Sequence, residues 1–383
     1  MLVAVNQLGF GAVVAVLALY ARSFGVGQSA IGLAIAVYGL ARFLVAVPAG
    51  QLADRVGRRG TLALGGLVTA AGNLACAFAP TYPLFIAGRF VAGAGASLVL
   101  IGGTIVLADI TTPANRGRTM AIYQGVFLFA VGVGPVPGGL LAERLGLMAP
   151  FLVYAVTGTL AAAVAWLQIP ETRAGHASSA AVVTTELPAF GAQLRLLTGR
   201  IGFALATLIS FVGAVARTGA LFNVIPVLAR DRLGLSADRI GVGLAVASLV
   251  GLVVIYPSGI LVDRFGRKLL IVPATVMSAA SMLVFIAAPS YAWFLTACVV
   301  WSLATGVSGA APAAYAADVA PPGMNAAAMS AFRMLSDAGY VLGPIVLGLI
   351  TDLFGADVAL ATAAVLLAAA AASFGLWAPE PRR

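Results

Sequence analysis

The segment GQLADRVGRR, beginning at Gly50, returns as GILVDRFGRK beginning at Gly259, 209 positions on. The same shift carries Pro48 onto Pro257, Tyr82 onto Tyr291, Asp109 onto Asp318, Gly134-Pro135 onto Gly343-Pro344 and Gly139 onto Gly348. Even the close of the first copy, Pro170-Glu171 with Arg173, returns as Pro379-Glu380 with Arg382. No gap is needed to keep the match, so the chain is one unit written twice. Matched short motifs inside two apolar halves point to two pseudo-symmetric helical bundles.

Composition fixes the solvent of those bundles. Of the residues, 61% are hydrophobic and 9% charged, where a soluble domain carries roughly 25% charged residues. Mean hydropathy is +1.05. Such a chain cannot cover a water-facing surface, so lipid is its solvent. A helix needs about 20 apolar residues to cross the hydrocarbon, and twelve runs qualify: 2–22, 28–49, 61–80, 83–110, 117–142 and 149–169, then 200–229, 237–260, 268–288, 291–318, 324–351 and 356–378. Strict alternation is absent, which argues against a β-barrel. The expectation is an all-α membrane protein of twelve transmembrane helices, with six-helix bundles at 1–170 and 200–383 and a linker at 171–199. The linker segment TELPAFGAQLRLL, Thr185 to Leu197, is either spacer or a short amphipathic helix on the membrane surface.

Basic residues set the orientation. With the N-terminus inside, thirteen Lys and Arg fall in inside-facing segments and five in outside-facing loops. Both termini and both DRxGR loops are therefore expected in the cytoplasm. The net charge of +9 is accounted for this way and gives no reason to invoke nucleic acid. Met1 corresponds to Ser210 under the repeat, so the first helix is expected to lack its first turns. No cleavable signal peptide is evident.

Several chemistries fall away. The only lysine, Lys268, is followed by Leu269, so no Walker A loop is present. Cys76 and Cys298 sit in apolar runs and read as buried free thiols. The single histidine, His176, cannot build a histidine-rich metal site. No nucleophile–base pair is apparent, so neither an enzyme nor a metal or organic cofactor is expected.

In the duplicated loop, Gly50 and Gly57 permit tight turns and close helix approach. Asp54 is placed to face the N-terminus of a neighbouring helix, whose dipole favours an anion. Arg58 can pair with Asp109 at the end of the fourth run, and Arg267 with Asp318 in the second copy. With Arg55, Gly259, Asp263, Arg264 and Gly266, these residues complete the two loops. The fourth run reads GRFVAGAGAS and the fifth AVGVGPVPGGLL. In the latter, Gly134, Gly138 and Gly139 allow backbone contact and Pro135 kinks the helix; Gly343 and Pro344 repeat the arrangement.

On these motifs the chain resembles the major facilitator superfamily of transporters, and within it the drug and metabolite efflux branch. The resemblance spans essentially the whole chain. It implies that the loop charges latch the outward-facing state; the alternative is that they only hold topology. It implies proton coupling for Arg89, which either faces the bundle interior or snorkels to the outer interface. It further implies a central cavity lined by helices one, four, seven and ten. The fifth-run signature is incomplete, because Ala130 stands where the fuller pattern has glycine.

The remaining mid-span charges are Arg42, Arg217, Arg333 and Asp337. Arg333 and Asp337 are four apart and share a helical face. Asp337 either exchanges a proton with a raised pKa or forms a permanent pair with Arg333. Arg217 has no acidic neighbour in sequence and suits an anionic substrate. Tyr38 shares a face with Arg42, and Asn6 with Phe10; Asn223, Gln124, Phe127 and Trp301 add polar or aromatic lining, each of them either ligand contact or packing. The expected activity is proton-coupled export of a small amphipathic or anionic compound, by a monomer in a bacterial-type inner membrane. Its rivals are an uptake symporter or facilitator on the same fold, and a transporter-like sensor that moves nothing.

Overall fold

A computed structural model describes residues 2–111, 116–169, 171, 195–309, 311–321 and 324–379. Among the described residues there is no strand. Twelve helices among these residues are long and apolar enough to cross a membrane, from Ala4–Arg22 to Ala356–Trp377, at the positions the apolar runs mark. The first six spans comprise α1 (Leu2–Arg22), α2 (Gln28–Val56), α3 (Arg58–Ala77), α4 (Tyr82–Ile110), α5 (Arg116–Val133), α6 (Pro135–Leu145) and α7 (Ala149–Gln168). Helices α5 and α6 are one span interrupted at Gly134. The other six comprise α8 (Ile201–Val215), a π-helical stretch Ala216–Val224, α9 (Ile225–Leu233), α10 (Ala237–Phe265), α11 (Lys268–Ala287), α12 (Tyr291–Ser308), α13 (Ala311–Asp318), α14 (Asn325–Phe354) and α15 (Ala356–Trp377). Two compact units emerge, one of residues 1–181 with 234–245, the other of 182–233 with 246–383.

The duplication is written into the turns. Gly25 and Gly234, Gly57 and Gly266, and Gly146 and Gly355 are repeat mates. Their φ angles are +72° and +60°, +94° and +92°, and +92° and +91°. This left-handed region costs glycine little and other residues much. The halves therefore turn the chain with the same device at the same positions.

Within the first unit, α6 lies backbone to backbone on α1. A Cβ added at Gly134 would come within 2.6 Å of Gly11 Cα, and one at Gly138 within 2.2 Å of the Ala12 carbonyl oxygen. At Gly139 the obstacle is the Ala237 carbonyl oxygen, 2.4 Å away at the start of α10. Apolar association gains little in lipid, so close van der Waals approach of small residues is what holds such helices. One end of the unit is closed by Tyr20, Phe24, Phe85 and Phe151, packed ring on ring at 4.8–5.9 Å between centroids. The Tyr20 hydroxyl donates to the carbonyls of Cys76 and Ala77 at 2.9 and 3.1 Å, which serves the orphan acceptors at the end of α3.

The second unit repeats the close approach with a different polar fitting. A Cβ on Gly343 would come within 2.7 Å of Val215 Cα, and one on Gly219 within 2.4 Å of the Gly343 carbonyl oxygen. Pro344 lies inside α14 and has no N–H for the carbonyl of Tyr340 four residues earlier. The Thr218 hydroxyl reaches that carbonyl oxygen at 3.1 Å and the Ala214 carbonyl oxygen at 2.9 Å. Asn223 Nδ2 donates to the Pro344 carbonyl at 2.9 Å. A neighbouring helix thus supplies the donor that the proline removes, as lipid-embedded backbone requires. Replacing Thr218 with Val keeps the shape and deletes the donor; the expected loss is about 1 kcal/mol, readable as a lowered thermal unfolding midpoint in detergent. Gly125→Ala, where an added Cβ meets nothing within 4 Å, serves as a reference that should not be destabilised.

Candidate functional site

The duplicated loops bring together the charges that sequence reasoning paired. Arg58 Nε lies 2.9 Å from Asp109 Oδ2, with side chains 12% and 10% exposed. Its mate Arg267 lies 2.6 Å from Asp318, at 26% and 33%. Asp54 meets Arg58 Nη1 at 3.3 Å but is 73% exposed. The carboxylate at the N-terminus of α3 is not Asp54 but Glu171, which accepts the N–H groups of Arg58 at 3.0 Å and Arg59 at 3.3 Å. Sequence reasoning missed Glu171 because it lies beyond the sixth span, 113 positions from Arg58. Gly57 leaves room for it, since an added Cβ would stand within 2.2 Å of its carboxylate. Gly50 departs from its expected role: a Cβ there meets open space, so it marks no close approach. Arg55 is exposed and Gly266 buried. Gly259, Asp263 and Arg264 fall in α10, but their side chains lie outside the described residues, as do Arg173, His176 and most of the linker.

Arg89 does not reach for an interface. It is 1% exposed, its Nε donates to the Ala34 carbonyl at 3.1 Å, and its guanidinium lies 4.4 Å above the Tyr38 ring. Tyr38 stacks on Phe10 at 5.3 Å and shares a hydrogen bond with the Tyr154 hydroxyl at 3.2 Å. Asn6, one turn before Phe10 on α1, is fully buried. Arg42 is half-buried one turn beyond Tyr38 on α2, and its backbone carbonyl accepts from Ser97 at 2.9 Å. Helices α1, α2, α4 and α7 thus converge on an aromatic and cationic group inside the first unit.

In the second unit Arg217 sits exposed on the π-helical stretch. Such stretches are rare and appear often at functional sites. Arg333 and Asp337 are both exposed, one turn apart on α14. Gln124 is also exposed. Of the residues that could either line a cavity or pack, three are packed. Trp301 is buried among the largest core side chains. Phe127 packs on the cluster around Leu62, Val99 and Ala161. Asn223 is buried and engaged with α14. Both cysteines are buried and free, and among the described residues no group of His, Cys, Asp and Glu is fit to hold a metal.

Among the described residues, twelve apolar helices in two pseudo-symmetric bundles, with paired loop charges and one buried arginine, Arg89, define a multi-pass membrane transporter. The chain belongs to the Major Facilitator Superfamily, which it matches over residues 1–254 and 203–383. It is 27% identical over 266 residues to the multidrug resistance protein MdtL of Shewanella oneidensis, covering 70% of this chain and 65% of that protein. To the class C tetracycline resistance protein of Escherichia coli it is 31% identical over 252 residues, 65% of this chain and 61% of the relative. The chain thus spans somewhat less than two thirds of these relatives' length. Among solved structures it resembles a D-xylose–proton symporter, with a TM-score of 0.77, 16% identity, and coverage of 100% of this chain and 97% of the other.

Proposed function

We propose that this transporter exports a small amphipathic or anionic compound in exchange for protons, by rocking of its two bundles in an inner membrane with both termini cytoplasmic. The observation that carries the proton is the placement of Asp337. Every other described acid within a helix lies in the first or last two turns of its element, whereas Asp337 stands near the middle of α14, exposed beside Arg333. An acid at membrane depth is expensive and marks a function. In the second unit, Arg217 and Arg333 are exposed and offer positive charge to an anionic client. The Arg58–Asp109 and Arg267–Asp318 pairs serve as latches that break and re-form during cycling. The names of the relatives, multidrug resistance and tetracycline resistance, support export; the fold shared with a D-xylose–proton symporter supports uptake as the second reading. A monomer suffices for either.

The test is substrate-induced pH change in proteoliposomes over a mixed panel of amphipathic and anionic compounds. Proton movement should appear with substrate and vanish in Asp337→Asn. Substrate flux with no proton movement, equal in the variant, would overturn coupling and leave Asp337 a partner of Arg333. Net flux driven by an imposed pH gradient separates exchange from co-transport.

A further inference from the structure

The interior of the first unit holds more positive charge than it answers. Arg89 is 1% exposed, and its Nη1 has no hydrogen-bond partner. No carboxylate is ion-paired with Arg89 or Arg42 among the described residues. Arg89 lies over the Tyr38 ring, Tyr38 bonds Tyr154, and Arg42 follows Tyr38 by one turn on α2, so the four groups form one neighbourhood. Tyr38 and Tyr154 face each other hydroxyl to hydroxyl; one donates to the other, and the acceptor's own hydrogen is left to seek a further partner. Asn6, on the Phe10 face of α1, has both amide atoms buried without partners. Donors gather here, and what is missing is an acceptor carrying negative charge.

The second copy builds the same spans without this group. The mates of Tyr38, Arg42, Arg89 and Tyr154 are Ala247, Gly251, Cys298 and Ala363, and those of Asn6 and Phe10 are Val215 and Gly219. All six polar or aromatic positions become small or apolar in a second unit that keeps the same spans and turns. A buried arginine without a counter-ion is costly. The first unit thus carries a buried charge at a position where the second has the thiol of Cys298.

We infer that Arg42, Arg89, Tyr38 and Tyr154 form a binding site for a small monovalent anionic group inside the first unit. Arg89 is oriented by the Ala34 carbonyl and the Tyr38 face, which leaves its remaining N–H groups for another partner. Arg42, half-buried, stands at the margin, and Phe10 and Tyr38 offer an aromatic wall. The anionic group is either the carboxylate of a transported aromatic compound or a free halide. This inference rests on the transport reading only for the first of these sources.

The experiment is anion binding to the purified full chain in detergent. Thermal unfolding and calorimetric titration are run with sodium chloride and with sodium benzoate, against sodium isethionate at matched ionic strength. A ligand that binds only the folded state raises the unfolding midpoint as its concentration passes its Kd. Chloride or benzoate should stabilise the protein, with affinity reduced at least about tenfold in Arg89→Gln and in Arg42→Gln, a loss of about 1.4 kcal/mol. Tyr38→Phe should weaken binding less, and Arg144→Gln, on an exposed charge, should leave it unchanged. If Arg89→Gln fails to fold, Arg89→Lys keeps the charge, loses the fork and should still bind more weakly. Stabilisation by chloride alone identifies a halide site; stabilisation by benzoate, with or without competition from chloride, identifies the substrate carboxylate. No stabilisation by either probe, or equal affinity in wild type, Arg89→Gln and Arg42→Gln, overturns the site and leaves water as its occupant. Because Asp337 takes no part, loss of proton coupling in Asp337→Asn and loss of anion binding here can fail independently.

Discussion

Gly138→Ala should destabilise the protein by about 3 kcal/mol or more, and Gly125→Ala in the same span should not. The chemistry of the two changes is identical: one methyl group added to a helical glycine. What differs is the neighbour. At Gly138 the new Cβ would stand 2.2 Å from the Ala12 carbonyl oxygen and 2.5 Å from its Cα, both backbone atoms of α1. Relief requires the two helices to part, which loosens the neighbouring Gly134–Gly11 contact as well. Overpacking of this kind costs roughly 1–3 kcal/mol where side chains can yield, and here none can. At Gly125 nothing stands within 4 Å, and alanine's better helix propensity favours the variant by up to about 1 kcal/mol. Thermal unfolding followed by size-exclusion chromatography reads the difference. Equal midpoints for the two variants would mean that α1 and α6 do not pack through these glycines.

That contact also shows what was legible in the sequence. Gly134, Gly138 and Pro135 stood out because glycine and proline are anomalous inside an apolar run, and anomalies survive without tertiary knowledge. The Arg58–Asp109 and Arg267–Asp318 pairs were legible for a second reason, since the repeat supplied the same charges twice. For Trp301, Phe127 and Asn223 the sequence leaves lining and packing open, because a helix apolar on all sides has no stripe to tell its buried face from its lipid face. Glu171 could have been suspected from its place just past the sixth span, but its contact with α3 is a product of packing. The group around Arg89 needed four helices to converge. Its one trace in sequence was the set of small repeat mates. The π-helical stretch had a weaker trace: Pro226 follows it closely, and in a plain α-helix that ring would meet the carbonyl four residues earlier.

Asp109→Asn should cost far more stability than Asp318→Asn, although the two acids are repeat mates with the same kind of partner. The Arg58–Asp109 pair is 12% and 10% exposed, and the Arg267–Asp318 pair 26% and 33%. Removing one partner of a buried pair strands the other charge away from water, at about 3–5 kcal/mol. A better solvated pair recovers much of that through hydration and approaches the roughly 1 kcal/mol or less of surface pairs. Asp54 and the Ala53 carbonyl, each 3.3 Å from Arg58 Nη1, soften the loss at the first loop without cancelling it. A double variant, Arg58→Met with Asp109→Leu, removes both charges and should regain most of the stability that Asp109→Asn loses. Similar unfolding midpoints for Asp109→Asn and Asp318→Asn would show that burial does not decide the cost. The double variant then separates the fold from the cycle, because it restores stability without restoring the ion pair. A latch predicts altered turnover in liposomes at a recovered unfolding midpoint. Wild-type turnover in that variant would mean that the pair only holds α3 against α4.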